Sequence, residues 1–470
     1  MPTRRALAAA ALAAAPALAP PAVGARSVPL HPARPGTVTV ALPAMPAGAN
    51  PLRTGDQYSL DVELLLDDPL YVATPAGGYA PDLARSWQTS AGGRVWRYAL
   101  DPRARWTDGR RVTARDVVWS LEAYRSARDA SPLRAAFSVL AWARALGPQE
   151  VEVGLRRPWP GWMGLLAEVP ILPAPTGSRG AAIAPTDGPY RLVRWDRAGG
   201  SVALAANPGY FRTPPHVPEL VLRAMAPAAA LAALRRGTVQ VAILPPAWTA
   251  AVRASPSLVA HLVPGRGLDL LVMRTVRGPL AQADVRRALA LATQRAALVP
   301  ILCGGPGAVP GGPWPPALAP SPPPPPYDPA AARALLAAAG WTPGPGGVRR
   351  RGGRALRVVV LYAGGSMTVA SALAHMAAQW RRVGVGLVPR PVDFAALSAR
   401  LRSGAFQAAA LGAAFGVGAD PRALVQGAGK TAYLPLAACA SLVATGADLR
   451  GFVPNPQGPD LYQPQRWFVR

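Results

Sequence analysis

An α/β chain built as two like lobes is the fold this sequence predicts, and three observations predict it. The first is a doubled unit. Leu234-Arg-Arg-Gly-Thr-Val-Gln-Val-Ala-Ile-Leu244 and Leu401-Arg-Ser-Gly-Ala-Phe-Gln-Ala-Ala-Ala-Leu411 each read as a basic last helical turn, a glycine stop at Gly237 or Gly404, and an apolar strand. Arginine there faces the negative end of the helix dipole, and glycine supplies the left-handed residue that ends the helix. Alanine-rich chains offer such junctions readily, so the pair takes its weight from its surroundings. The second observation is alternation between Arg357 and Leu411: strand 357–361, helix 371–383 ended by Gly384, strand 385–388, helix 393–402 ended by Gly404, and strand 406–411. Connections of this βαβαβ kind are right-handed and give a parallel sheet whose ligands gather beyond the carboxyl ends of the strands. Those ends are 362–366 and 412–420, and the matching end in the first copy is 245–248. Two lobes built alike leave a cleft suited to a small molecule.

The third observation is a dense early block from Pro81 to Ser126. Trp96, Tyr98 and Leu100 alternate as one face of a strand, and Trp106-Thr-Asp-Gly109 makes a polar turn. Thr113 with Asp116 forms a capping box before Val117, Val118, Leu121 and Tyr124, which share a helical face. A hairpin follows over 190–204 around Asp196-Arg-Ala-Gly-Gly200. From Asp284 to Val299 the positions Val285, Leu289, Ala292, Ala296 and Val299 repeat at helical spacing. The Pro/Gly-rich stretch 304–326 reads as a stiff connection, after which Asp328 and Pro329 open a helix that Gly340 closes.

At 470 residues the chain has room for two or three domains. Its net charge of +26 raises nucleic acid as a partner, but Lys430 is the only lysine and the arginines are scattered. The tightest cluster, Arg349, Arg350, Arg351 and Arg354, sits among glycines with no aromatic to stack a base. The charge reads as a solvated surface that favours anionic ligands, and no nucleic-acid partner is expected. Thr3-Arg4-Arg5, the apolar run 6–18 and Val23-Gly24-Ala25 have the layout of a secretory signal over 1–25, with an arginine pair that admits the twin-arginine route. A periplasmic location is expected, without a lipid anchor. Nothing in the spacing of Cys303 and Cys439 brings them together, and a pair of buried free thiols is the expected state.

Catalytic equipment is missing. Gly427-Ala-Gly-Lys-Thr431 resembles the tail of a phosphate loop but has Leu424 where the earlier glycine belongs, and His31, His216, His261 and His375 have no ligand spacing. There is no Gly-x-Ser-x-Gly elbow, so no enzyme, metal or cofactor is expected. Among the 13 tryptophans, Trp87, Trp96, Trp106 and Trp119 of the dense early block read as core, whereas Trp248 and Phe415 fall just past strand ends and are candidate ligand contacts.

Taken in order, these blocks resemble the extracytoplasmic solute-binding proteins of family 5, the peptide, nickel and oligosaccharide receptors of bacterial ABC importers. The resemblance rests on Pro81-Asp-Leu-Ala-Arg-Ser-Trp87, on Trp106-Thr-Asp-Gly109 through Leu121, on Gly188-Pro-Tyr-Arg-Leu-Val-Arg-Trp195 with Asn207-Pro-Gly-Tyr-Phe211, and on Asp284-Val-Arg-Arg-Ala-Leu289. Tyr327-Asp-Pro-Ala-Ala-Ala-Arg-Ala-Leu-Leu336 and Gly451-Phe with Pro454-Asn455 complete the series. It implies a two-lobed periplasmic-binding-protein type II fold with an extra subdomain in the N-terminal lobe, hinge closure on ligand, delivery to a membrane permease, and no catalysis. On that reading the N-terminal lobe spans 26–268, with the subdomain inserted over about 50–180 and completion by 430–470, and the C-terminal lobe spans 269–429. A monomer is expected.

The departures from the family bear on the ligand. Gln240 and Gln407 stand where the family usually has aspartate, and Gln294-Arg295 replaces its Asp-Arg; each amide still offers hydrogen bonds. Peptide receptors of the family place an acidic group in the loop after the last strand, but residues 412–419 contain none and Asp420 is the sole carboxylate there. Arg274 replaces a frequent asparagine and adds a cation. Only 422–433 precede Leu434-Pro-Leu436, so the C-terminal lobe is expected to be shortened. The expected ligand is a peptide or another small polar solute, held by Asp420, Arg274, Phe415, Trp248 and, more weakly, Asn50. The alternative is a family relic that no longer binds and acts as a scaffold or sensor partner.

Overall fold

Three sheets organise the computed structural model, which describes residues 36–126, 131–134, 136–159, 161–175, 184–312, 322–414, 430–456, 460–461 and 463–469. The expected signal segment, Phe415, Asp420 and the shortened stretch after residue 414 lie outside the described residues up to Lys430. The first lobe is a seven-stranded sheet in the order Leu258–Val263, Ser441–Gly446, Val241–Leu244, Thr37–Leu42, Glu219–Ala224, Ser201–Ala206 and Tyr190–Asp196. The second lobe has six strands in the order Gly307–Ala308, Thr431–Cys439, Gly267–Arg274, Ala408–Ala414, Arg357–Ala363 and Gly386–Val392. A four-stranded antiparallel sheet, Ala84–Ser90, Val95–Leu100, Glu150–Leu155 and Leu140–Gly147, forms the subdomain. Each has its own apolar core. The two-lobed α/β fold with an extra subdomain is thus what the sequence predicts.

Local chemistry explains the elements. Asp116 Oδ2 accepts from both the backbone N–H (2.8 Å) and the hydroxyl (2.9 Å) of Thr113, so the capping box starts helix Ala114–Arg125 as expected. That helix buries Val117, Leu121 and Tyr124 against the subdomain sheet. The two halves of the Gly188…Asn207 motif are tied directly, since Asn207 Nδ2 donates to Gly188 O at 2.9 Å.

The doubled unit is reproduced in both lobes. Helices Pro227–Arg235 and Phe394–Ser403 end at Gly237 and Gly404, whose φ values of 70° and 68° lie in the left-handed region. Gln240 Oε1 then accepts from Thr39 N at 2.8 Å, one residue before Val40 pairs with Val241; Gln407 Oε1 accepts from Val359 N at 2.8 Å, one residue before Val360 pairs with Ala408. The backbone carbonyl of each glutamine also accepts from the antiparallel neighbour on its other side, from Gly446 N or Arg274 N. The amide in place of aspartate therefore extends the ladder by one rung in both lobes. Thr39 and Gln240 are both buried. Replacing Gln240 with Leu strands the Thr39 N–H and is expected to cost about 1–3 kcal/mol of stability, measurable by urea unfolding, with a smaller loss for Gln407→Leu at the more exposed site.

Two expectations are corrected. The periodic segment 284–299 is not one helix: Ala283–Leu291 ends there, and helix Val299–Cys303 follows a short 3-10 turn. A continuous helix would drive the Pro300 ring into the carbonyl of residue 296. The break is held from outside, by Gln379 Oε1 accepting from Gln294 N at 3.0 Å and by Trp380 Nε1 donating to Thr293 Oγ1 at 2.9 Å. The cysteines are likewise not free thiols. Cys303 and Cys439 form a disulfide with Cα atoms 5.1 Å apart across 136 residues of sequence. What joins them is the small strand Gly307–Ala308, which pairs with Ala438 and Cys439 and so lays the end of helix Val299–Cys303 beside that strand. No spacing rule foretells such a pairing.

Candidate ligand cleft

Among the described residues the chain crosses between the lobes twice, at 264–266 and at Ala440, and strand register shows which sheet ends meet there. In the first lobe Val263 pairs with Ser441 and Leu244 with Leu442, so the carboxyl end of Val241–Leu244 lies at the crossings. In the second lobe Gly267 pairs with Ala414, which puts the carboxyl end of Ala408–Ala414 there too. Strands Thr37–Leu42 and Arg357–Ala363 run parallel to these two. Both lobes therefore turn the carboxyl ends of their parallel strands toward one junction. At Gly265 a Cβ would lie 1.8 Å from Cys439 O, so the crossings pack backbone against backbone.

On the second-lobe side a hollow of about 700 Å³ opens between Ala363–Ser366 and Pro391–Asp393. Its two polar corners begin helices: Ser366 Oγ accepts from Val369 N at 3.4 Å and Asp393 Oδ1 from Ala396 N at 2.7 Å. On the first-lobe side stands the Pro246–Trp248 turn, with Trp248 half-buried. A Cβ on Gly305 would sit 2.6 Å from the Pro246 carbonyl carbon, so the second lobe reaches this turn directly.

The residues singled out from sequence part company here. Trp248 lies at the junction. Asn50 shapes its own turn, with Oδ1 accepting from Leu52 N at 3.0 Å, and lines a different hollow of about 780 Å³ beside Asp67, Trp119 and Arg191. Arg274 stands at the far end of its strand from the junction. It closes the strand that Gly267 opens, and five residues at roughly 3.4 Å each put it about 17 Å beyond Asp269, next to Gln407 at the opposite end of the sheet. An antiparallel strand sends its last residue away from the end where its first one sits.

Two charged residues that the sequence reading passed over are brought to the junction. Arg266, between two glycines in the first crossing, pairs with Glu168 of the subdomain and donates from Nη2 to Gln57 Oε1 at 2.9 Å. It ties crossing, subdomain and first lobe together. Asp61 and Asp460 lie nearby; burial raises the carboxyl pKa of both, the charge of Asp460 raises that of Asp61 further, and Arg266 works against both shifts. Asp269 is half-buried three residues further along, and desolvation lifts its pKa to about 6. The available signal was a lone carboxylate inside the apolar run Leu268–Met273.

Among the described residues no three or more metal-binding side chains cluster, and no helix is long and apolar enough to cross a membrane. Two α/β lobes joined by paired crossings, with strand ends facing one cleft, define the class of hinged two-lobed binding proteins. Within that class the chain belongs to the bacterial extracellular solute-binding proteins of family 5, whose middle-region model matches residues 78–433. It is 30% identical over 322 residues to di/tripeptide-binding protein 2 of Pseudomonas aeruginosa (strain UCBPP-PA14), a match covering 61% of this chain and 60% of that protein. The chain thus spans less than two thirds of that relative's length. In fold it is similar to HbpA2 from Haemophilus parasuis, with TM-score 0.74, 17% identity, and coverage of 92% of this chain and 100% of that one. The oligopeptide-binding protein AppA from Bacillus subtilis, solved in complex with a nonapeptide, superposes with TM-score 0.68 at 19% identity, covering 94% of this chain and all of that one.

Proposed function

We propose that this protein is the substrate-binding component of an ABC importer, capturing a short peptide or a similarly small polar solute between its lobes and handing it to a membrane permease. The observation that carries the reading is the convergence of both lobes' strand ends on one junction hinged by two crossings. Family membership and the di/tripeptide-binding relative support peptide as the solute. Export through the 1–25 segment to the periplasm, a monomeric state, no nucleic-acid partner and no catalysis belong to the same proposal. Trp248 would face ligand from the first lobe, with Phe415 and Asp420 from the residues that follow Ala408–Ala414 in sequence.

The test is calorimetric titration with a panel of di- and tripeptides, paired with small-angle scattering. At least one peptide is expected to bind and to reduce the radius of gyration, as hinge closure requires. No heat with any peptide and no compaction would overturn the proposal. Trp248→Ala should weaken the best peptide about 10-fold while changing the thermal midpoint little, because the side chain is half-exposed.

A further inference from the structure

We propose that the end of the second lobe farthest from the cleft is a contact surface for anionic phospholipid headgroups, formed by seven exposed arginines with no carboxylate paired to them. The inference goes beyond the solute-binding reading and does not depend on what the cleft holds.

The fold gathers these side chains. Strands Arg357–Ala363 and Gly386–Val392 are parallel with Arg357 opposite Gly386, so their amino ends lie together, away from the junction that their carboxyl ends approach. Arg357 opens the first strand, and the hairpin of Arg350–Arg351 with Arg354–Ala355 leads into it. Arg381 and Arg382 close the helix Met367–Arg381, which leads into the second. Arg349 fastens the hairpin to that helix end: its backbone N–H donates to Gly384 O at 2.8 Å and its Nε to Val383 O at 3.0 Å. Arg333 joins from helix Pro329–Ala338, with Nε donating to Arg382 O at 3.3 Å. Apart from the buried Arg349, all of these arginines are exposed.

Positive charge is concentrated here without compensation. Residues 271–414 hold sixteen arginines and three acids, Asp284, Asp328 and Asp393, of which Asp328 and Asp393 cap helices. Among the described residues none of the seven pairs with a carboxylate, whereas Asp82, Asp101, Glu152 and Glu168 of the first lobe and subdomain each lie against an arginine. The crowding of like charges is felt within the cluster, since burial and then the charge of Arg333 lower the pKa of Arg349.

The chemistry of the partner follows from the make-up of the patch. A protein interface centres on apolar or aromatic side chains, and a single-strand nucleic-acid surface stacks bases on aromatics; here Trp341 and Trp380 beside the arginines are buried. Gly352 and Gly353 form the hairpin tip with φ of 53° and 76°, so no side chain stands between the flanking arginines and a flat surface. Guanidinium groups match phosphate oxygens in forked pairs, and at an anionic membrane each basic residue near the surface adds its own attraction without needing a pocket.

The test is co-sedimentation of the full chain with phosphatidylcholine vesicles, with and without about a third phosphatidylglycerol, at about 0.05 M and 0.5 M salt. The wild type is expected to bind the anionic vesicles about 10-fold or more tighter than the neutral ones in low salt, and to lose that preference in high salt. Gln at 351, 354, 381 and 382 together should weaken binding about 100-fold. Lys at the same four positions should retain it, which separates loss of charge from loss of fold. Gln at the exposed subdomain positions Arg85, Arg94, Arg111 and Arg115 removes the same charge and should weaken binding less than about 5-fold. Equal binding to neutral and anionic vesicles, equal losses in the two Gln variants, or loss in the Lys variant overturns the inference. So does displacement by inorganic phosphate beyond that by chloride at equal ionic strength, which would mark a discrete anion site instead of a headgroup surface.

Discussion

Serine at both 303 and 439 is expected to lower the thermal midpoint by about 10 °C, the largest stability change among the substitutions considered. The bridge fastens the end of helix Val299–Cys303 to strand Thr431–Cys439, and the 136 residues between its ends include most of the second lobe. In the chain-entropy account, opening a loop of that length returns roughly 5 kcal/mol of freedom to the unfolded chain, and measured losses run about 2–5 kcal/mol. The same bridge pins a helix that is only five residues long and cannot hold itself together by propensity. Reduction of the wild type should bring its melting curve toward that of the double variant. Coincident curves for the oxidised wild type and the double variant would rule the bridge out as a stabilising element.

The second large effect concerns pH, and its direction is the reverse of ordinary acid denaturation. Helix Gln57–Leu66 and the residues around it gather Asp61, Glu63, Asp67, Asp68, Asp82, Asp187 and Asp460 in the first lobe and its join to the subdomain. Burial raises the pKa of every one; Glu63 is pushed up to about 7 and Asp82 to about 6. A carboxyl whose folded pKa exceeds its unfolded value holds its proton more tightly when folded, so unfolding releases protons and stability declines as pH rises between the two values. For Glu63 and Asp82 the decline should therefore begin near pH 4 and run to about pH 7 and about pH 6, and the other buried acids act in the same direction. Asp101 and Glu152, held below the usual range by Arg103 and by Arg97 and Arg144, act oppositely but only at more acid pH. Urea midpoints are expected to be higher at pH 5 than at pH 8, and Glu63→Gln should narrow the difference by stabilising the protein at pH 8 alone. A midpoint that climbs toward pH 8 would contradict the assignment.

The parts of the fold legible in the sequence are those governed by neighbours in the chain. Thr113 and Asp116, Asp328 with Pro329, and the glycine stops at 237 and 404 act within one or two turns, so spacing alone locates the element ends. The Gln240 and Gln407 ties were legible for the same reason, since an amide one residue before a strand has the neighbouring strand's N–H within reach. What escaped depended on contacts between distant segments. The Cys303–Cys439 bridge needed a two-residue strand, Gly307–Ala308, too short to leave a pattern. The direction of Gly267–Arg274 decides that Asp269 and not Arg274 reaches the junction, and strand direction is set by the crossings rather than by composition. Helical periodicity across 284–299 concealed a break, because Pro300 and the bonds from Gln379 and Trp380 outweigh a moderate apolar repeat.

The paired amides at the two strand entries carry a consequence for the working range of the molecule. An amide has no proton to gain and no charge for ions to screen. The bonds from Gln240 to Thr39 and from Gln407 to Val359 thus keep their strength in acid and in molar salt, where carboxylates in the same places would weaken. In a chain whose buried acids already respond to pH, this leaves the joinery of both lobes indifferent to the medium, so that changes in ionic conditions act on the cleft and the first-lobe acids while the two sheets stay in register.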